Sequence, residues 1–102
     1  PKKELILPFH NLNLPSSYYI FPVVLPNHTM RNCLADIFRK KGVQTSLHYP
    51  PIHHFTAYKS FQTSLTNTEK FGQQALTLPL FPALTNPEIK LICDIIISEK
   101  IK

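Results

Sequence analysis

A chain of 102 residues, 43% hydrophobic and 17% charged, reads as one globular domain, with room for a single core but not for two lobes around a large cofactor. Its 11 basic and 6 acidic residues give a formal charge of +5. The cations, however, gather at Lys2–Lys3, Arg39–Lys40–Lys41 and Lys100–Lys102, near the chain ends and one helix end, where they read as solvated rather than as a nucleic-acid surface. No apolar run approaches the roughly 20 residues of a membrane span, and no signal-peptide pattern opens the chain. Neither nucleic acid nor membrane is expected as a partner. Pro1, not Met, comes first, which suits a processed product or a piece of something longer. Cys33 and Cys93 are too few and too isolated for a disulfide framework or a zinc site. On apolar helical faces they read as buried thiols of a reducing compartment, so a cytoplasmic location is expected.

Residues 1–16, with Pro1, Pro8 and Pro15, form an irregular lead-in. "SYYIFPVVL", Ser17 to Leu25, is aromatic and β-branched, the composition of a strand; Pro22 within it cannot donate a ladder bond and implies an edge or a bulge. Asn27 is placed to cap a helix whose apolar positions recur at Met30, Cys33, Leu34, Ile37 and Phe38. Arg39, Lys40 and Lys41 close it, and Gly42 is set for the left-handed position beyond its end.

"VQTSLHY" alternates as a strand, with Val43, Thr45, Leu47 and Tyr49 on one face and Gln44, Ser46 and His48 on the other. Pro50–Pro51 then stop pairing and force a stiff, extended exit. "TNTE" (Thr66 to Glu69) has capping-box form and predicts a short helix to about Ala75. "LTLPLFP" is a brief strand ended by prolines. "TNPE" (Thr85 to Glu88) repeats the capping-box form before a terminal helix lined by Ile89, Ile92, Cys93 and Ile96 and broadened by Leu91 and Ile95.

The order β, α, β, loop, α, β, α predicts an α+β fold: a small three-stranded, mainly antiparallel sheet with helices on one face. The other face would carry Gln44, Ser46 and His48 and be left for a partner.

Within "SLHYPPIHHF", His48, His53 and His54 invite a metal reading. No acid or cysteine lies within that loop, however, and its spacing matches no helical or knuckle ligand set. No metal is expected, and the histidines read instead as incidental or substrate-contacting. Ser46 and His48 share a strand face but lack a carboxylate to orient the imidazole, so nucleophilic catalysis is not expected either. The only glycines, Gly42 and Gly72, exclude a Gly-rich phosphate loop. Asn27-His28-Thr29 matches a glycosylation acceptor, yet its placement favours the cap.

Taken in order, these pieces resemble the small C-terminal domain of the DegT/DnrJ/EryC1/StrS aminotransferases, fold-type I pyridoxal-phosphate enzymes that act mostly on nucleotide-linked keto sugars. The similarity rests on Arg31 opening a helix, Gly42–Val43, His48–Tyr49–Pro50–Pro51, His53, Glu69, Leu78–Pro79–Leu80 and Pro82–Ala83–Leu84–Thr85. It covers about Ser17 to Ile97.

By that resemblance, residues 17–102 are a C-terminal domain that covers the active-site cleft, and residues 1–16 lead in from an N-terminal domain that holds pyridoxal phosphate and its lysine. None of Lys40, Lys41, Lys59, Lys70 or Lys90 matches the cofactor lysine, so this chain is expected to hold neither cofactor nor catalytic residue. His48, Tyr49 and His53 are the expected contacts to a keto sugar nucleotide. Glutamate is the expected amino donor, glycan biosynthesis the setting, and the parent a homodimer. Alone, the chain is expected to be inactive. The rival reading is a free-standing ferredoxin-like module that binds a small ligand or a protein.

Overall fold

The computed structural model describes residues 5–99. The basic clusters at Lys2–Lys3 and Lys100–Lys102 lie outside them. In chain order the elements are strand β1 (Phe21–Val24), helix α1 (His28–Lys40), two short 3-10 turns (Ile52–His54 and Thr56–Phe61), helix α2 (Thr66–Gln74), strand β2 (Ala75–Leu78) and helix α3 (Asn86–Ser98).

β1 and β2 pair antiparallel, with Val23 opposite Leu76 and Pro22 opposite Thr77. The sheet has two strands, not the three expected. In place of a third strand, Ser46 makes a single bridge to Thr77, and on the opposite flank Ile6 makes one to Val24.

Proline positions explain why both flanking ladders stop at one rung. The Thr77 N–H donates to the Ser46 carbonyl at 2.8 Å. Along that edge the next donor on one side would be residue 79, a proline with no N–H, and on the other side the Ala75 N–H closes α2 by donating to the Phe71 carbonyl. The Val24 N–H likewise donates to the Ile6 carbonyl at 2.9 Å, and the next position of the same parity is Pro22. The missing Pro22 N–H therefore faces away from β2, which is how a proline is tolerated in a paired strand. β1 is shorter than Ser17–Leu25 because β2 is only four residues long and because Tyr18 turns into the left-handed region at φ 52°.

The inner face of the sheet supplies Val23, Leu25, Leu76 and Leu78 to the core, against Met30, Leu34 and Phe38 of α1 and Ile92 and Ile95 of α3. Leu5 of the lead-in packs against this cluster. On the other face, Ala75 and Thr77 are buried too, so that side is less open than the alternation implied.

α1 runs as expected. The Asn27 side chain accepts from the Met30 N–H at 2.9 Å, and Gly42 takes φ 77° just past the end. Both cysteines, though, are exposed. Each helix buries a narrower stripe than its apolar residues allow: Met30, Leu34 and Phe38 in α1, Ile92 and Ile95 in α3. Cys33 and Cys93 sit one position off these stripes, as does the exposed Leu91, while Ile89, a turn before Ile92, is exposed in the first turn of α3.

The Thr85–Glu88 capping box forms in full: the Thr85 N–H and hydroxyl donate to Glu88 at 2.8 and 2.9 Å. These donors hold the Glu88 carboxyl below its ordinary range. The Thr66–Glu69 box does not form. Leu65 takes the cap position without a side-chain bond, although Glu69 Oε1, which also meets two imidazoles, still accepts from the Leu65 N–H at 3.5 Å.

Candidate functional site

The segment from Gly42 to His48 leaves α1 through the left-handed glycine and runs along the outer edge of β2. Its alternation puts Gln44, Ser46 and His48 together in the wall of one cavity of about 570 Å³, which Tyr19 and Glu88 also line. Much of the remaining wall is apolar, from Leu78, Leu80, Leu84 and Ile92 among others. An apolar pocket with a few convergent polar groups is the usual form of a small-molecule site.

His48 stands out within this wall. Its Nδ1 is buried and, among the described residues, has no hydrogen-bond partner. Buried polar atoms are nearly always bonded, so this nitrogen calls for a group the chain itself does not supply. The His48 ring meets Tyr49 edge-on, with centroids 4.8 Å apart. Tyr49 projects outward and is 61% exposed. Its hydroxyl lies 3.2 Å from that of Tyr19. This contact, first through the hydrogen bond itself, raises the Tyr49 pKa above its ordinary value.

His53 is held apart from the cavity. Its Nε2 lies 2.9 Å from Glu69 Oε1, and His54 Nε2 lies 3.3 Å from the same oxygen. The His53 side chain is 10% exposed. The His53 hydrogen bond is the main reason the Glu69 carboxyl sits below its ordinary range. The structure therefore unites His48 and Tyr49 but places His53 in a second cluster, where it anchors the loop to α2.

The contacts of two residues, both part of the resemblance, could not be read from the sequence. Glu69 reads there as half of a capping box, and only the fold brings it to the histidine loop. Arg31 enters the sequence reading only as the arginine that opens α1 in the family resemblance, with no role attached, and it is 6% exposed. Its Nη1 donates to the Ala75 carbonyl at 3.4 Å and its Nε has no partner. Desolvation lowers its pKa.

Among the described residues no lysine or arginine lines the cavity. Lys90, one turn from it on α3, is paired with Asp94 at 2.6 Å. The described residues of this wall offer pyridoxal phosphate neither an amine for its aldehyde nor a cation for its phosphate.

Comparison with known proteins agrees with this fold. The model of the DegT/DnrJ/EryC1/StrS aminotransferase family matches residues 2–97. The chain belongs to that family. Over 79 residues, 78% of this chain and 20% of the relative, it is 32% identical to a dTDP-4-dehydro-2,3,6-trideoxy-D-glucose 4-aminotransferase from Saccharopolyspora spinosa.

Among solved structures it superimposes on S. venezuelae DesV, determined with a ketimine intermediate, with a TM-score of 0.85 and 27% identity over 94% of this chain and 26% of that one. The aminotransferase TlmJ from Streptoalloteichus hindustanus gives a TM-score of 0.81 and 28% identity over 92% of this chain and 25% of that one. The chain thus spans about a fifth to a quarter of the length of these relatives.

Proposed function

We propose that this chain is the substrate-covering, C-terminal part of a sugar aminotransferase that moves an amino group, with glutamate as donor, onto the carbonyl carbon of a keto sugar nucleotide. On this reading the lysine and the cofactor-binding groups lie on polypeptide outside residues 1–102. Pyridoxal phosphate, when bound there, supplies the electron sink for the transfer.

What the chain's own residues contribute is placement. The apolar wall excludes water, while Gln44, Ser46 and His48 offer hydrogen bonds that orient a polyhydroxylated ring. Tyr49, exposed beside Tyr19, reaches toward the same ligand. His53 keeps the segment in register through Glu69.

The unpartnered Nδ1 of His48 in the cavity wall carries this reading. Family membership and the cavity's lack of cations support the division of labour. Mixing the 102-residue chain with pyridoxal phosphate and then borohydride tests it. The expected result is scattered, substoichiometric labelling of surface lysines and no amino transfer. One lysine labelled stoichiometrically, or turnover by the chain alone, would overturn it.

A further inference from the structure

The loop that follows Tyr49 holds no acid of its own, and its spacing matches no helical or knuckle ligand set. The fold supplies the acid. His53 and His54 sit on a 3-10 turn (Ile52–His54) directly after Pro50–Pro51, and α2 delivers Glu69 to both. One ring nitrogen from each histidine and a carboxylate oxygen all lie within 4.8 Å of one another, and both Nε2 atoms face Glu69 Oε1. None of the three residues belongs to the cavity wall around His48.

We propose that His53, His54 and Glu69 form a binding site for a borderline divalent transition metal, of which zinc(II) is the representative. Zinc–ligand bonds of about 2.0–2.1 Å in tetrahedral array put neighbouring donors about 3.3 Å apart. His54 and Glu69 already stand at 3.3 Å, and His53 and Glu69 at 2.9 Å. The His53–Glu69 side needs to open by less than about half an ångström, and the two imidazoles, within 4.8 Å of each other, need to close by no more than about 1.5 Å.

Two imidazoles and one carboxylate are a donor set that suits zinc, nickel, copper(II) and iron(II). The metal replaces the shared protons: each ring carries its proton on Nδ1 instead, and Nε2 turns its lone pair to the ion.

The frame is stiff enough to hold such a site. The His54 N–H donates to the Pro51 carbonyl at 3.0 Å, so the turn is closed onto the double proline. Pro51 in turn packs directly on Gly72 of α2, one turn beyond Glu69. The side-chain exposures are graded: 10% for His53, 29% for Glu69 and 54% for His54. Three protein ligands with one open flank leave room for a fourth, water, ligand. The rival account is a plain hydrogen-bonded triad in which Glu69 merely tethers the loop.

The two accounts separate by titrating the full chain, freed of metal with a chelator, with zinc(II) chloride in a calorimeter. One zinc per chain is expected. His54→Ala removes the most exposed donor and should weaken binding about tenfold or more, with the metal-free melting temperature unchanged. Glu69→Gln should weaken it similarly; if that change also unfolds the chain, His54→Ala decides. His28→Ala and the Cys33→Ser/Cys93→Ser pair should leave the affinity as it was. No one-to-one binding, or binding that survives His54→Ala, would overturn the proposal. So would binding that disappears with His28 or the cysteines.

Discussion

Phe38→Ala is expected to lower the chain's unfolding free energy by about 3–5 kcal/mol. Phe38 is 0% exposed. It lies in α1 among the residues that join both strands to α3. Truncating it removes the burial of a whole aromatic ring and leaves a hole that α1, pinned by its Asn27 cap and its Gly42 exit, cannot close by shifting. A domain of this size has about 5–15 kcal/mol in total, so a large share of the population should unfold at moderate urea. Cys33→Ala on the same helix should change stability by no more than about 0.5 kcal/mol, because that side chain faces solvent. Urea melts followed by circular dichroism give both numbers. A loss below about 1 kcal/mol for Phe38→Ala would mean that the core does not lie where described.

Gly72→Val should act through a contact rather than a cavity. A Cβ at Gly72 would meet Cδ and Cγ of Pro51 at 2.9 Å. Neither atom can swing aside, because both belong to a ring fixed to the backbone. Helix propensity favours almost any residue over glycine by up to about 1 kcal/mol, so a free position on α2 would gain from the change. Overpacking against the proline should outweigh that gain, for a net loss of about 1–3 kcal/mol. The consequence is local as well as global: pushing Pro51 away carries His53 and His54 off Glu69 and loosens Tyr49 beside them. Hydrogen exchange in residues 50–55 should speed up while α1 and α3 keep their protection. A stabilised Gly72→Val with unchanged exchange would contradict this placement.

Much of the frame could be read before folding because it depends on neighbours in sequence. The Asn27 cap, the Thr85–Glu88 box, the left-handed Gly42 and the stripe Met30–Leu34–Phe38 are all settled within one or two helical turns. So is the side of the 43–49 segment on which Gln44, Ser46 and His48 emerge.

What escaped that reading depends on partners. The 43–49 segment has the pattern of a strand, but Pro79 and the α2 cap leave it only Thr77 to pair with, and a period-two pattern cannot report its neighbour's free donors. Cys33 and Cys93 look buried because the apolar stripes are drawn wider than the surface this domain covers. Glu69 Oε1 both meets two imidazoles and accepts from the Leu65 N–H at the helix start, and only the third dimension shows the first of these uses. Arg31 entered the core for a reason that neither its neighbours nor its charge announces.

The account rests on His48 meeting the sugar nucleotide from a cavity whose reacting groups lie outside this chain. The most direct check is His48→Ala in the complete aminotransferase, measuring kcat/KM for the keto sugar nucleotide together with the absorption of the bound cofactor. Losing one hydrogen bond to the substrate predicts a fall of about tenfold or more in kcat/KM, with the cofactor band unchanged. Undiminished turnover, or a vanished cofactor band, would contradict it.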